Sequence, residues 1–283
     1  MAYLILSILS SSMIYVVFRL AKNYNCQLSS LITYNYLAAT VLGLLLFQPF
    51  TNNSANNITN WFPYGILLGI LFIIMFYLIG NSAQKAGITV TTLANKLSLV
   101  FPVLFSLIYF NEQISTLKYI GLATAFLAVI LTVYKKDVKK TNLLFIILPI
   151  IIFLGSGLVD STVKYVQAVK ITDEEVALYT IVVFFVASVC GLFISLFSKS
   201  KTSFRTPTLL LGLLLGLANF GSLYFFMNAL NKSKLDSSLV FALNNMSIVA
   251  LSALLGRVLF NEKLNKINFA GIVLAIISLY FLL

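Results

Sequence analysis

The 283-residue chain has no histidine, two cysteines, one tryptophan and only eight acidic residues, and charged residues make up 10% of it. A soluble domain carries about 25% charged residues, so the scarcity of charge excludes an ordinary water-soluble globule. Cys26 and Cys190 lie in different halves and form neither a disulfide framework nor a metal-ligand spacing. No metal and no cofactor are expected. The apolar stretches contain no histidine and no clustered acids, the groups an integral-membrane enzyme would use as bases or to activate nucleophiles. The chain therefore reads as a non-enzyme. A glycine-rich phosphate loop and a polar domain to hold one are both missing, which argues against an ATP-driven pump. Period-two alternation over ~10-residue segments, the mark of an outer-membrane barrel, is missing as well.

What remains is apolar. Hydrophobic residues make up 60% of the chain and its mean hydropathy is +1.00. Stretches near residues 2–20, 29–50, 63–83, 89–110, 116–134, 143–168, 175–197, 207–229, 237–260 and 266–283 each approach or exceed the ~20 residues a bilayer-spanning helix needs. The expected fold is an all-α membrane protein of ten transmembrane helices. The first stretch lacks the basic region that precedes a cleaved signal and reads as a retained helix. The net charge of +11 would suggest nucleic acid in a soluble domain, but here the bases flank the spans, so the partner is the lipid bilayer. Odd-numbered connections hold twelve Lys and Arg residues and even-numbered ones hold four. By the positive-inside rule the odd connections face the cytoplasm of a multi-pass cytoplasmic (inner) membrane protein.

The sequence is also written twice. A shift of 147 lays Gly65, Gly69, Tyr77, Asn81 and Lys85 onto Gly212, Gly216, Tyr224, Asn228 and Lys232. A shift of 150 lays Asn95, Phe110-Asn111-Glu112 and Gly121 onto Asn245, Phe260-Asn261-Glu262 and Gly271. Residues 1–134 and 143–283 read as two five-helix repeats joined by a basic connector, 135–142. Five helices per repeat make the second enter the membrane from the opposite side, so the repeats are inverted and a cavity is expected between them near the midplane. With both halves of that cavity in one chain, a monomer suffices.

Candidate site residues follow from polarity inside spans. Tyr77, Asn81 and Lys85 form one helix stripe, matched by Tyr224, Asn228 and Lys232; these stripes are either cavity walls or interhelical polar contacts. Asn95-Lys96 answers Asn244-Asn245. Lys96 lies about two turns inside its span, where an ammonium costs at least ~2.5 kcal/mol, so it must face water, a carboxylate or carbonyls. Asp160 is the one acid well inside a span, and Lys164 shares its face one turn on. This is either a protonatable coupling group or, preferred, a simple ion pair. Tyr15 and Asn219 have the depth to complete a lining, and Asp173-Glu174-Glu175 suits a helix N-terminus.

At the two Phe-Asn-Glu endings the pattern becomes familiar. Leu104–Phe110, Asn111-Glu112 and Gly121, then Leu254–Phe260, Asn261-Glu262 and Gly271, resemble the EamA repeat of the drug/metabolite transporter superfamily, whose fourth helix ends in Gly-Glu before a short apolar fifth helix. Asn stands for the usual Gly, and both residues suit a helix C-terminal cap. Pro102 stands near the family's mid-helix Pro, while its counterpart here is Ser252. The resemblance implies a ten-helix inner-membrane permease that moves small metabolites, often amino acids or related compounds outward, by alternating access. It implies a structural role for Glu112 and Glu262. A proton-coupled efflux protein for lipophilic cations is the rival within transport. It would depend on Asp160, and removing Lys164 should then improve cation efflux.

Overall fold

The computed structural model describes residues 2–47, 58–109, 115–133, 144–172, 175–197, 205–232, 237–262 and 265–281. Asn111, Glu112, the connector 135–142, Asp173 and Glu174 lie outside them. Among the described residues every regular element is a helix: α1 (Ala2–Asn23), α2 (Leu28–Phe47), α3 (Ile58–Lys85), α4 (Ile88–Leu97), α5 (Val100–Tyr109), α6 (Thr116–Val133), α7 (Leu144–Val169), α8 (Val176–Phe197), α9 (Thr206–Lys232), α10 (Ser237–Phe260) and α11 (Lys266–Phe281). Seven of these, α1 to α3 and α7 to α10, contain a segment long and apolar enough to cross a membrane. The expected count of ten differs first at the fourth stretch, which is two short helices rather than one span.

The cause is local. Pro102 has no N–H to give the carbonyl of Ser98, four residues back, and its ring crowds that turn. Helix α4 accordingly stops at Leu97, and the Ser98 carbonyl takes the N–H of Phe101 at 2.9 Å. Proline is tolerated in the first turn of α5, where N–H groups lack intrahelical partners anyway. Ser252, at the equivalent position, does have an N–H, and α10 runs unbroken from Ser237 to Phe260. Beyond it Asn261 adopts a left-handed φ of 50° and the N–H of Glu262 bonds the carbonyl of Gly256 at 3.0 Å, so Asn closes this helix as the usual Gly would.

Packing interleaves the two halves. Helix α9 packs on α1 and α2, α3 packs on α7 and α8, α2 meets α8, and α4 meets α10. Matched glycine pairs permit matched approaches. A Cβ on Gly69 would come within 2.6 Å of Val186, and one on Gly216 within 2.6 Å of both Ala38 and the Asn35 carbonyl. Small residues are what allow membrane helices to come this close, since apolar burial alone drives no association in lipid. Helices α6 and α11 pack on each other and run antiparallel. Asn268 at the start of α11 donates to the Leu131 carbonyl near the end of α6 at 3.2 Å. Ser278 near the end of α11 donates to the Gly121 carbonyl near the start of α6 at 2.8 Å.

Gly69→Ala should therefore cost about 1–3 kcal/mol by overpacking, seen as a lower unfolding temperature in detergent. Gly65→Ala, whose nearest neighbour would lie at 3.3 Å, should cost distinctly less.

Candidate functional site

The break in the fourth span is where the polar residues converge. In the last turn of α4, Asn95 accepts from the Tyr15 hydroxyl of α1 at 2.8 Å and donates to Ser156 of α7 at 2.8 Å. One amide thus ties a helix of the first half to one of the second. At the break, the Ser98 hydroxyl donates to the Asp160 carboxylate of α7 at 2.8 Å. Lys96 and Tyr15 both lie within electrostatic reach of that carboxylate. Lys96 is half-buried.

The setting of Asp160 is informative. The lipid-facing stripe of α7 runs through Ile147, Ile150, Ile151, Leu154 and Leu158, all exposed. At 3.6 residues per turn Asp160 stands roughly 140° around the helix from that stripe, on the side of Ser156, yet its side chain is also exposed. The Asp160 side chain thus lies on the side of α7 that carries Ser156, away from the exposed apolar stripe.

The partner of Asp160 is not the one its own helix offers. The carboxylate is held across the helix interface by Ser98, beside the charge of Lys96, while Lys164 sits half-buried one turn on. Sequence gave no direct sign of Ser98 and Ser156. Two signals were available: Ser98 is four residues before Pro102, and a third shift, of 145, which lays Arg19 on Lys164, also lays Tyr15 on Asp160 and Ser11 on Ser156.

The related face of the other half is built from neutral groups. Ser7 donates to Asn244 at 3.1 Å and to the Ser222 carbonyl at 3.2 Å, and Ser11 and Ser222 share a hydrogen bond of 2.7 Å. Asn245 is buried beside Asn244. Asn219 donates to Asn35 at 3.2 Å between α9 and α2, away from the Asn95 cluster. The stripes of α3 and α9 lie elsewhere too. Tyr77 is exposed along with Ile66, Ile70 and Ile74, which places it on the outward face of α3. Asn81 donates back to the Tyr77 carbonyl at 2.9 Å, as Asn228 does to the Tyr224 carbonyl at 2.9 Å, and Tyr224 stacks on Phe220. An amide bonded to its own helix lowers the cost of facing lipid.

A second link between halves lies at the start of α8. Glu175 is buried; one carboxylate oxygen accepts the Trp61 indole N–H at 3.2 Å. The other accepts the N–H and hydroxyl of Thr172 at 2.8 and 3.0 Å, the carboxylate half of a capping box.

Removing the Tyr15 hydroxyl leaves the Asn95 oxygen short of a donor. Tyr15→Phe should cost ~1–3 kcal/mol, and Tyr15→Phe with Ser156→Ala should be non-additive through Asn95 in a double-mutant cycle of unfolding in detergent.

Comparison with known proteins agrees with this architecture. Residues 1–134 match the model of the EamA-like transporter family. The chain is 29% identical over 290 aligned positions to an uncharacterised protein of Haemophilus influenzae (strain ATCC 51907 / DSM 11121 / KW20 / Rd), covering 99% of this chain and 97% of that one. A protein of known crystal structure with 12% identity superposes at a TM-score of 0.63, covering 99% of this chain and 96% of its own, and shares the fold. Residues 1–134, just under half of the chain, are thus similar to the EamA-like transporter family, and with seven helices long and apolar enough to cross a bilayer the chain is a multi-pass membrane protein.

Proposed function

We propose that this protein is an EamA-type transporter of the drug/metabolite superfamily, a permease that exports a small zwitterionic metabolite, an amino acid or related compound, across the cytoplasmic membrane by alternating access between two inverted halves. The observation that carries the reading is the opposed pair Lys96 and Asp160 at a helix break, with Asp160 exposed on the inner face of α7. Broken helices are where many secondary transporters bind cargo, because each half-helix presents a terminal dipole to it. Here the C-terminal carbonyls of α4 and Asp160 favour an ammonium, and the N-terminal N–H groups of α5 and Lys96 favour a carboxylate. Tyr15, Asn95 and Ser98 add hydrogen bonds. The antiparallel packing of α6 on α11 and the reciprocal contacts of α1 with α9 and of α7 with α3 support inverted repeats. A monomer holds every group of the site.

The exposure of Asp160 also favours a second reading, proton-coupled efflux of lipophilic cations, in which the carboxylate alternately binds a proton and the drug. Lys96, whose charge stands beside Asp160, opposes it by repelling a cation.

Uptake or efflux of a panel of radiolabelled amino acids, organic acids and lipophilic cations in proteoliposomes decides between them. Under the zwitterion reading Lys96→Ala and Asp160→Asn each lose tenfold or more in kcat/KM for one amino-acid class, as expected when a charged hydrogen bond of ~1.5–3 kcal/mol is lost. Unchanged kinetics in both variants would refute it. Cation efflux that improves in Lys96→Ala or Lys164→Ala and vanishes in Asp160→Asn would establish the second reading.

A further inference from the structure

The C-terminal end of the second half reaches back to the first. Immediately after α10, Glu262 turns its carboxylate onto the N-terminus of α4. One oxygen accepts the Ile88 N–H, and the other accepts the Thr89 N–H at 3.2 Å and the Thr89 hydroxyl at 2.9 Å. A carboxylate at a helix N-terminus satisfies N–H groups that lack intrahelical partners and complements the helix dipole. Two glycines leave room for it. A Cβ on Gly87 would sit 2.7 Å from one oxygen, and one on Gly256 would sit 2.6 Å from the other. Gly87 also has φ +105°, a conformation that side chains disfavour.

This contact closes the end of an interface that leads to the site. Along α4, Thr89, Thr92 and the pair Asn95-Lys96 follow one another at three- to four-residue spacing and share a face. Along α10, Gly256 and Ser252 are four residues apart and Asn245 lies seven further back, so the three share a face. Helices α4 and α10 pack together, and a Cβ on Gly256 would lie 2.9 Å from the Thr89 hydroxyl, which fixes the two stripes against each other at the Glu262 end. Between that end and the site, the hydroxyls of Thr92 and Ser252 are buried with no hydrogen-bond partner among the described residues. Two unpartnered hydroxyls in a membrane interior are costly. They become satisfied in a conformer where water or cargo passes between α4 and α10.

We propose that the α4–α10 interface is the closed half of the transport path, on the face of the odd-numbered connections, and that Glu262 is its latch. Glu262 is a positioning residue: it holds α4 at one end, while Asn95, Lys96 and Ser98 act at the other. Release of its three hydrogen bonds frees the N-terminal end of α4 to tilt from α10 about the break at Ser98, and Thr92 and Ser252 meet solvent. The proposal rests on alternating access but not on the nature of the cargo, so its test uses none.

The test is cysteine accessibility in proteoliposomes. The full chain carries Cys26→Ser, Cys190→Ser and Thr92→Cys, and a membrane-impermeant maleimide is applied from the odd-connection face. With Glu262 intact labelling should be slow. In Glu262→Ala it should rise at least tenfold, and Glu262→Gln, which keeps an acceptor oxygen, should fall between. Gly256→Ala, which retains the carboxylate but crowds it, should also accelerate labelling and serves if the Glu262 variants do not fold. A Tyr179→Cys reporter, buried near Trp61 at the other end of the bundle, should be unaffected. Equal Thr92→Cys labelling with and without the latch, or parallel increases at both reporters, would overturn the proposal. Loss of amino-acid transport with the labelling pattern intact would fault the cargo reading alone.

Discussion

The rest of the site depends on the missing N–H of Pro102. A continuous fourth helix would bury the Ser98 carbonyl in its own ladder. It would also offer only side chains to whatever lies between the halves. Interrupting the ladder at mid-span exposes backbone polarity where a bilayer tolerates it only beside protein or water, and it brings Ser98 to Asp160. The same interruption makes α4 a short body with one end at the site and the other under the Glu262 carboxylate. Asn95 then serves two helices at once, because its amide can accept from Tyr15 while donating to Ser156.

The halves share a plan but not a chemistry. Tyr15 and Asp160 occupy equivalent places, as do Lys96 and Met246, Pro102 and Ser252. Both charges and the break fall on the face formed by α4 and α7, while the face formed by α1, α9 and α10 carries serines and asparagines. Duplication supplies two equivalent walls; divergence has left one of them charged. On the function proposed above, such a site gives a cargo with distinct ends one preferred orientation rather than two.

Much of the fold was legible in the sequence. Apolar run length and the repeated Phe-Asn-Glu ending mark helices and halves, because bilayer thickness and helix termination impose them on any solution. The isolation of Lys96 and Asp160 within spans was legible too, because charge there demands a reason. Their proximity was not. Within one helix Lys164 is the natural partner of Asp160, and only the packing of α4 against α7 brings the Ser98 hydroxyl onto the carboxylate and Lys96 within its electrostatic reach. The stripes through Tyr77 and Asn81 repeat as clearly as any feature of the chain, yet repetition fixes equivalence and says nothing of direction. An asparagine that bonds the carbonyl four residues back can face outward, and Asn81 does. Glu262 shows the converse. A residue at a helix end reads as a terminator, and Asn261 and Glu262 do end α10, but the carboxylate's partners are 173 and 174 residues away.

The indole that bridges the halves at Glu175 belongs to the single tryptophan of the chain. Its ring is fully buried and packs edge-on against Tyr179. The unmodified protein therefore carries its own optical probe at the junction of α3 and α8. Separation of the halves at that end would strip the indole of its carboxylate and admit water, so intrinsic fluorescence follows that end of the bundle without a label.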